Sequence, residues 1–158
     1  MNLDEKSKIP QRDFLALLEN VANIRVTRQT LNNWEGAGLI SAPSRVVKVH
    51  GGKITSYEPK IFMECYALSG MKKNDDGVSF SNSVIRQAKE DFYSLGIFDD
   101  DESKFTFAEG EEIFKKILEE NLGYDLLFTT ETLTRASALV KYYCLMKESY
   151  AILFGKGK

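Results

Sequence analysis

Thr27-Arg28-Gln29-Thr30-Leu31-Asn32-Asn33-Trp34-Glu35-Gly36-Ala37-Gly38-Leu39-Ile40 is the stretch on which the fold turns. Thr27 can open a helix, because its hydroxyl accepts a backbone N–H that would otherwise be unpaired. Leu31 and Trp34 stand three residues apart and so share one helical face. Gly38 supplies the left-handed backbone that ends a helix. Leu39 and Ile40 then return apolar side chains to a core. The spacing predicts a helix over 27–37 with Trp34 turned inward. The other face is wholly polar: Arg28, Gln29, Asn32 and Asn33.

Upstream, Phe14, Leu15, Leu17, Leu18 and Val21 repeat at helical spacing, which predicts a helix from Pro10 to Val21. Proline suits the first position, where an N–H has no partner anyway. A turn over Asn20–Arg25 joins it to the next helix. Downstream, Ser41-Ala42-Pro43-Ser44 breaks the chain. Arg45–His50 and Lys53–Tyr57 are two strand-like runs around Gly51-Gly52, which predicts a hairpin with cations at Arg45, Lys48 and Lys53 and with His50 at the turn. A third helix starts near Pro59 and carries Ile61, Phe62, Cys65, Tyr66 and Leu68. Helix, turn, helix, basic hairpin, helix is the order of a winged helix-turn-helix. It occupies residues 1–73, with a polar linker over Lys72–Gly77.

This order suits double-stranded DNA. A helix fits the major groove and offers its first turns to base edges, and a cationic hairpin can grip phosphate. Arg28, Gln29, Asn32 and Asn33 are the candidate base and phosphate contacts, with Thr27 beside them. The alternative for these residues is an ordinary solvated helix face. Arg45, Lys48, His50, Lys53 and Tyr57 are the candidate contacts from the hairpin. Cations on a hairpin also discourage edge-to-edge aggregation. Glu35 is either solvated or holds the hairpin by a hydrogen bond within the domain.

Net charge sharpens this. The whole 158-residue chain carries −2, which by itself speaks mildly against nucleic acid. Residues 1–73 hold eleven Lys/Arg and seven Asp/Glu, a net +4, whereas residues 74–158 hold ten and sixteen, a net −6. The window 25–60 alone supplies the +4, through Arg25, Arg28, Arg45, Lys48, Lys53 and Lys60 against Glu35 and Glu58. A basic front and an acidic back imply separate tasks.

Residues 78–158 read as helices. One is capped by Ser81 or Ser83, carries Val84, Ile85, Ala88, Phe92 and Leu95, and stops at Gly96. An acidic loop follows at Asp99–Glu102. As a calcium loop it fails, with Lys104 at the sixth position and Gly110 at the twelfth, so a solvated loop is expected. Thr106 and Glu109 have capping-box spacing. They open a helix carrying Ile113, Phe114, Ile117 and Leu118 and ending at Gly123. The last helix runs from Thr130 or Thr132 to Phe154. It has two apolar seams: Leu133, Ala136, Val140, Tyr143, Tyr150 and Phe154, and then Leu139, Tyr142, Met146 and Leu153. Such a helix is either sandwiched in a core or pairs with another chain.

Other chemistries are excluded by composition. One histidine and two distant cysteines, Cys65 and Cys144, build neither a zinc site nor a Cys–His or Ser–His–Asp set. No catalytic residues, cofactor or metal are expected. The polar N-terminus and the lack of a membrane-length apolar run lead to the expectation of a soluble cytoplasmic protein.

The stretch from Thr27 to Ile40 resembles the recognition helix of the MerR family of bacterial transcription regulators. Thr27, Thr30, Leu31, Trp34, Glu35, Gly38, Leu39 and Ile40 fit its pattern. Pro43, Arg45, the Gly51-Gly52 turn and Tyr57-Glu58-Pro59 resemble that family's wing and following helix. The resemblance covers residues 9–70. Gln29, Asn32 and Asn33 depart from it, standing where the family often has a basic residue and aromatics. It implies sequence-specific DNA binding in transcription regulation, and dimerisation through the long C-terminal helix. The expected architecture is therefore mainly α: a winged helix-turn-helix, then a helical region over 78–158 that forms a homodimer or binds a partner. Two alternatives are an excisionase-like architectural DNA-binding protein and an adaptor that has lost DNA binding.

Overall fold

The computed structural model describes residues 3–73, 79–112, 114–115 and 130–155, and these are mainly helical with a small antiparallel sheet. A two-residue strand β1 (Ile9–Pro10) leads directly into α1 (Gln11–Ala22). The chain leaves α1 through Asn23 in the left-handed region, at φ 56°. Asparagine tolerates that conformation better than most residues with a side chain. The helix α2 (Arg28–Gly36) begins as its sequence requires: the Thr27 hydroxyl accepts the Thr30 N–H at 3.2 Å. It ends one residue inside the expected boundary. Gly38 at φ 75° then lets the Leu39 N–H reach the Trp34 carbonyl at 2.9 Å, satisfying an end-of-helix acceptor.

Strands β2 (Ser44–Val47) and β3 (Lys53–Tyr57) form the hairpin, with Val46 opposite Ile54 and Arg45 opposite Thr55. β1 pairs with the other side of β3, so the sheet order is β1-β3-β2. Two residues ending in proline gave no periodicity from which β1 could be read. It is the pairing that fixes β3 over α1. Tyr57 stacks on Phe14 with ring centroids 4.3 Å apart, and both are buried.

Helix α3 (Pro59–Lys72) is the central element. Ile61, Phe62, Met63, Glu64, Cys65, Ala67, Leu68 and Met71 are all buried, so it is enclosed on nearly every side. α4 (Asn82–Ser94) is capped by Ser81, whose hydroxyl accepts the Val84 N–H. The expected acidic loop is instead the turn of a short hairpin between β4 (Phe98–Asp99) and β5 (Lys104–Phe105). There Asp99 Oδ1 accepts the N–H groups of Asp101 and Glu102, at 2.9 and 3.2 Å. This is an acidic side chain closing its own turn. α5 covers residues 107–112 and 114–115. The Thr106 hydroxyl at its start donates to the Ile97 carbonyl at 3.1 Å, tying it to the segment between α4 and β4. Ile113, Ile117, Leu118, Gly123 and most of the expected linker lie outside the described residues.

The last helix, α6 (Thr130–Phe154), packs against α3 and α4. Ala138, Leu139, Tyr142, Tyr143 and Met146 are buried among them. Of the seams read from the sequence, Leu139, Tyr142, Tyr143 and Met146 face this chain's own core and Ala136, Tyr150, Leu153 and Phe154 are half-buried, whereas Val140 is exposed in a stripe with Cys144, Lys147, Glu148, Ala151 and Ile152. Phe92 lies at the centre of an aromatic cluster with Phe105, Phe107, Tyr142 and Tyr143. One apolar cluster runs from Ile9 to Met146, so α3 belongs to the same core as α4 and α6. Among the described residues no helix is long and apolar enough to cross a membrane.

Candidate nucleic-acid interface

The polar face of α2 looks across an open cleft at the hairpin. The cleft has a volume of about 460 Å³ and is lined by Gln11, Arg28, Asn32, Glu35, Gly36, Arg45 and Thr55. Three elements build it for separate reasons. Leu31 is buried and orients α2, which turns Arg28, Asn32 and Glu35 outward along successive turns. Phe14 under Tyr57 holds β3 over the start of α1, which brings Gln11 and Thr55 to the floor. Gln11 Nε2 donates to the Tyr57 hydroxyl at 3.0 Å, securing that corner.

Arg45 reaches from β2 to the far end of α2 in a two-pronged ion pair. Nη2 donates to Glu35 Oε1 at 2.6 Å and Nη1 to Oε2 at 3.1 Å. The Arg45 guanidinium, by hydrogen bond and charge, holds the Glu35 carboxyl below its ordinary range. The same bond raises Arg45 above its own. Such fork-to-fork pairing fixes direction as well as distance.

The candidate contacts therefore separate. Arg28, Asn32 and Arg45 meet on one cleft. Gln29 and Asn33 form the adjoining exposed strip, joined by a hydrogen bond from Gln29 Nε2 to Asn33 Oδ1 at 3.0 Å. Thr27 is exposed, but its hydroxyl is engaged with the Thr30 N–H and the Thr30 hydroxyl. Lys48, His50 and Lys53 are exposed on the outer part of the hairpin, away from the cleft lining. Tyr57 requires a correction. It is 1% exposed and stacked on Phe14, so it is a core residue and no surface contact. Burial also pushes its hydroxyl up from the ordinary tyrosine value. Trp34 is half-buried against the core, as its face predicted.

Sequence reasoning missed Gln11 and Thr55. Both reach the cleft through β1–β3–β2 pairing, and nothing local in the sequence signals that. It also missed the apolar character of the hairpin: Val46, Val47, Val49 and Ile54 are 55, 70, 95 and 47% exposed. On the other side of Arg28, a second groove between α1 and the start of α2 is lined by Arg12, Glu19, Arg25 and Thr30 among others. Arg25 there pairs with Glu19 at 2.9 Å. Beyond the cleft this groove adds Arg12 as an exposed cation with no ion pair among the described residues.

A buried carboxylate holds this surface to the rest of the chain. Glu64 of α3 is 0% exposed. It accepts the Ser41 N–H at 2.6 Å, the Ser41 hydroxyl at 2.8 Å and the Tyr93 hydroxyl at 2.5 Å. The turn after α2 is thereby bonded to α3 and to α4. Searched against protein-family models, curated proteins and solved structures, the chain finds no match.

Proposed function

We propose that this chain is a sequence-specific double-stranded DNA-binding protein of transcription regulation, with a MerR-like winged helix-turn-helix over residues 9–70. The observation that carries the proposal is the cleft in which the bare polar face of α2 meets Arg45 of the hairpin. A helix with its side chains is about 10–12 Å across, so α2 fits within a major groove roughly 12 Å wide. In this account Arg28 and Asn32 read base edges from the cleft, and Gln29 and Asn33 extend the contact along the groove. Amides suit adenine and guanidinium suits guanine. Lys48, His50 and Lys53 follow the backbone from the hairpin. The acidic helical half serves as the body that carries this head.

Dimerisation through α6 remains part of the proposal, in altered form. Most of the seam residues expected to pair lie inside the chain, so two copies would meet along the exposed Val140 of the first seam together with Cys144, Ala151 and Ile152. Glutamate at Val140 and Ile152 then halves the mass measured by light scattering without lowering Tm. A mass equal to one chain before substitution contradicts the pairing.

The experiment for the main proposal is selection from a library of random-sequence duplexes at low salt. The expected result is enrichment of one short motif, lost in Asn32→Ala. Retention of no duplex at all contradicts DNA binding. A second reading, an adaptor working through protein contacts, is favoured by the exposed Val46, Val47, Val49 and Ile54, which a protein partner would cover. Binding without any motif and with DNA bending would instead favour the architectural alternative.

A further inference from the structure

The cleft proposed to read DNA contains a carboxylate, although DNA is a polyanion. Glu35 lies on the same wall as Arg28 and Asn32, and both its oxygens are taken by Arg45. A solvated glutamate here would repel phosphate. A free Arg45 would attract phosphate whatever the base sequence. Paired at 2.6 and 3.1 Å, they add no net charge to the cleft. The pair also ties the end of the reading helix to the hairpin strand, since Glu35 is on α2 and Arg45 on β2. The side chains are 25 and 37% exposed, so a phosphate can approach the guanidinium once the carboxylate is removed.

We propose that Glu35 is a specificity-determining and positioning residue, which withholds Arg45 from sequence-independent phosphate binding and fixes the hairpin against α2. This rests on the DNA-binding proposal above. It makes a prediction that a merely structural ion pair does not. Sequence-independent affinity follows the number of phosphates neutralised, and each contact adds about 0.9 to the slope of log affinity against log salt. The native pair counts as zero, Glu35→Gln as one cation gained, and Arg45→Ala as one anion exposed. Changing both returns the count to zero.

The test measures binding of one random-sequence duplex by fluorescence anisotropy across a salt series. It uses the full chain and the variants Glu35→Gln, Arg45→Ala and the double variant. The expected result is that Glu35→Gln binds this duplex more tightly at low salt and steepens the slope by about 0.9. Arg45→Ala binds more weakly, and the double variant restores the native slope. Thermal melts of the same proteins separate loosening of the hairpin from electrostatics. A pair that only holds structure makes Glu35→Gln bind more weakly and melt lower, with no steeper slope. That result, or an unchanged slope in Glu35→Gln, overturns the inference while leaving DNA binding intact. A native chain that does not bind the duplex at low salt overturns both.

Discussion

Helices α2 and α6 show two opposite uses of a polar and an apolar face. α2 has nine residues and buries one of them fully, Leu31, leaving Arg28, Gln29, Asn32 and Asn33 in solvent. α6 has 25 residues and sinks a broad apolar surface into α3 and α4. The short helix owes its place to neighbours: Thr27 at its start, Gly38 at its end, and Arg45 across the cleft. The long one is itself part of the core. Polar side chains held outward on a well-anchored helix are free to meet a ligand, whereas those of a core helix are constrained by packing. Substitutions should therefore divide into two kinds, those that unfold the chain and those that leave it folded and change what it binds.

The largest effect is expected in the body. Phe92→Ala removes the ring at the centre of the aromatic cluster and should cost about 3–5 kcal/mol. At roughly 2–4 °C per kcal/mol for a chain of this size, Tm should fall by about 10 °C. A fall of only a degree or two would break the assignment of Phe92 to the centre of the core. Next comes Glu64→Ala, which orphans three part-buried donors, two on Ser41 and one on Tyr93. At about 1–3 kcal/mol for an orphaned group, the total is on the order of 3 kcal/mol. Because Ser41 lies just after α2, this variant should also bind DNA more weakly at temperatures where it is still folded. Unchanged stability would show that the three bonds to Glu64 do not hold the head to the body.

On α2 the effects should invert. Arg28→Ala and Asn32→Ala are expected to change stability by no more than about 0.5 kcal/mol. Each should weaken a selected DNA site by about 1–3 kcal/mol and random DNA by less. Lys53→Ala should weaken both alike and reduce the salt slope by about one. Equal losses on selected and random DNA in all three variants would dissolve the division between base-reading and backbone-holding residues.

The smallest effect is alkaline. Burial, aided by the Glu148 carboxylate, raises the Tyr66 hydroxyl to about 12. Burial, aided by Glu5, does the same for Tyr150. Both exceed the ordinary value of 10.0. A tyrosine raised on folding contributes stability that is full below pH 10 and is lost as pH climbs to about 12, because the unfolded chain releases its protons first. Denaturation midpoints should fall across that window, and the fall should be shallower in Tyr66→Phe and Tyr150→Phe. Parallel curves for parent and variants would contradict this.

Much of the head was legible because its signals are local. Thr27 caps, Gly38 stops, Gly51-Gly52 turns, and Leu31 sets the face, each within a few residues. The rest depended on distant pairing. β1 is only Ile9 and Pro10, and it is a strand because β3 lies beside it. Tyr57 follows a cationic run, yet stacking on Phe14 takes it inward. Glu64 sits in a helix otherwise apolar at most positions, and no spacing rule couples it to Ser41 or Tyr93, 23 and 29 residues away. On α6 the periodicity was readable but its partner was not, because interleaved seams fit an enclosed helix and a paired one equally well. The Glu35–Arg45 bond was conceivable from sequence, but only its two short distances turn a surface cation into half of a neutral pair.

The most direct test of DNA binding through the α2–hairpin face is the salt dependence of the native chain on a random-sequence duplex. Arg12, Lys48 and Lys53 are exposed and form no ion pair among the described residues, while Arg45 is neutralised by Glu35. Three phosphate contacts correspond to a slope of about −3 in log affinity against log salt. The expected result is a retained complex at low salt that weakens with that slope. No complex at the lowest salt, or an affinity indifferent to salt, would contradict it.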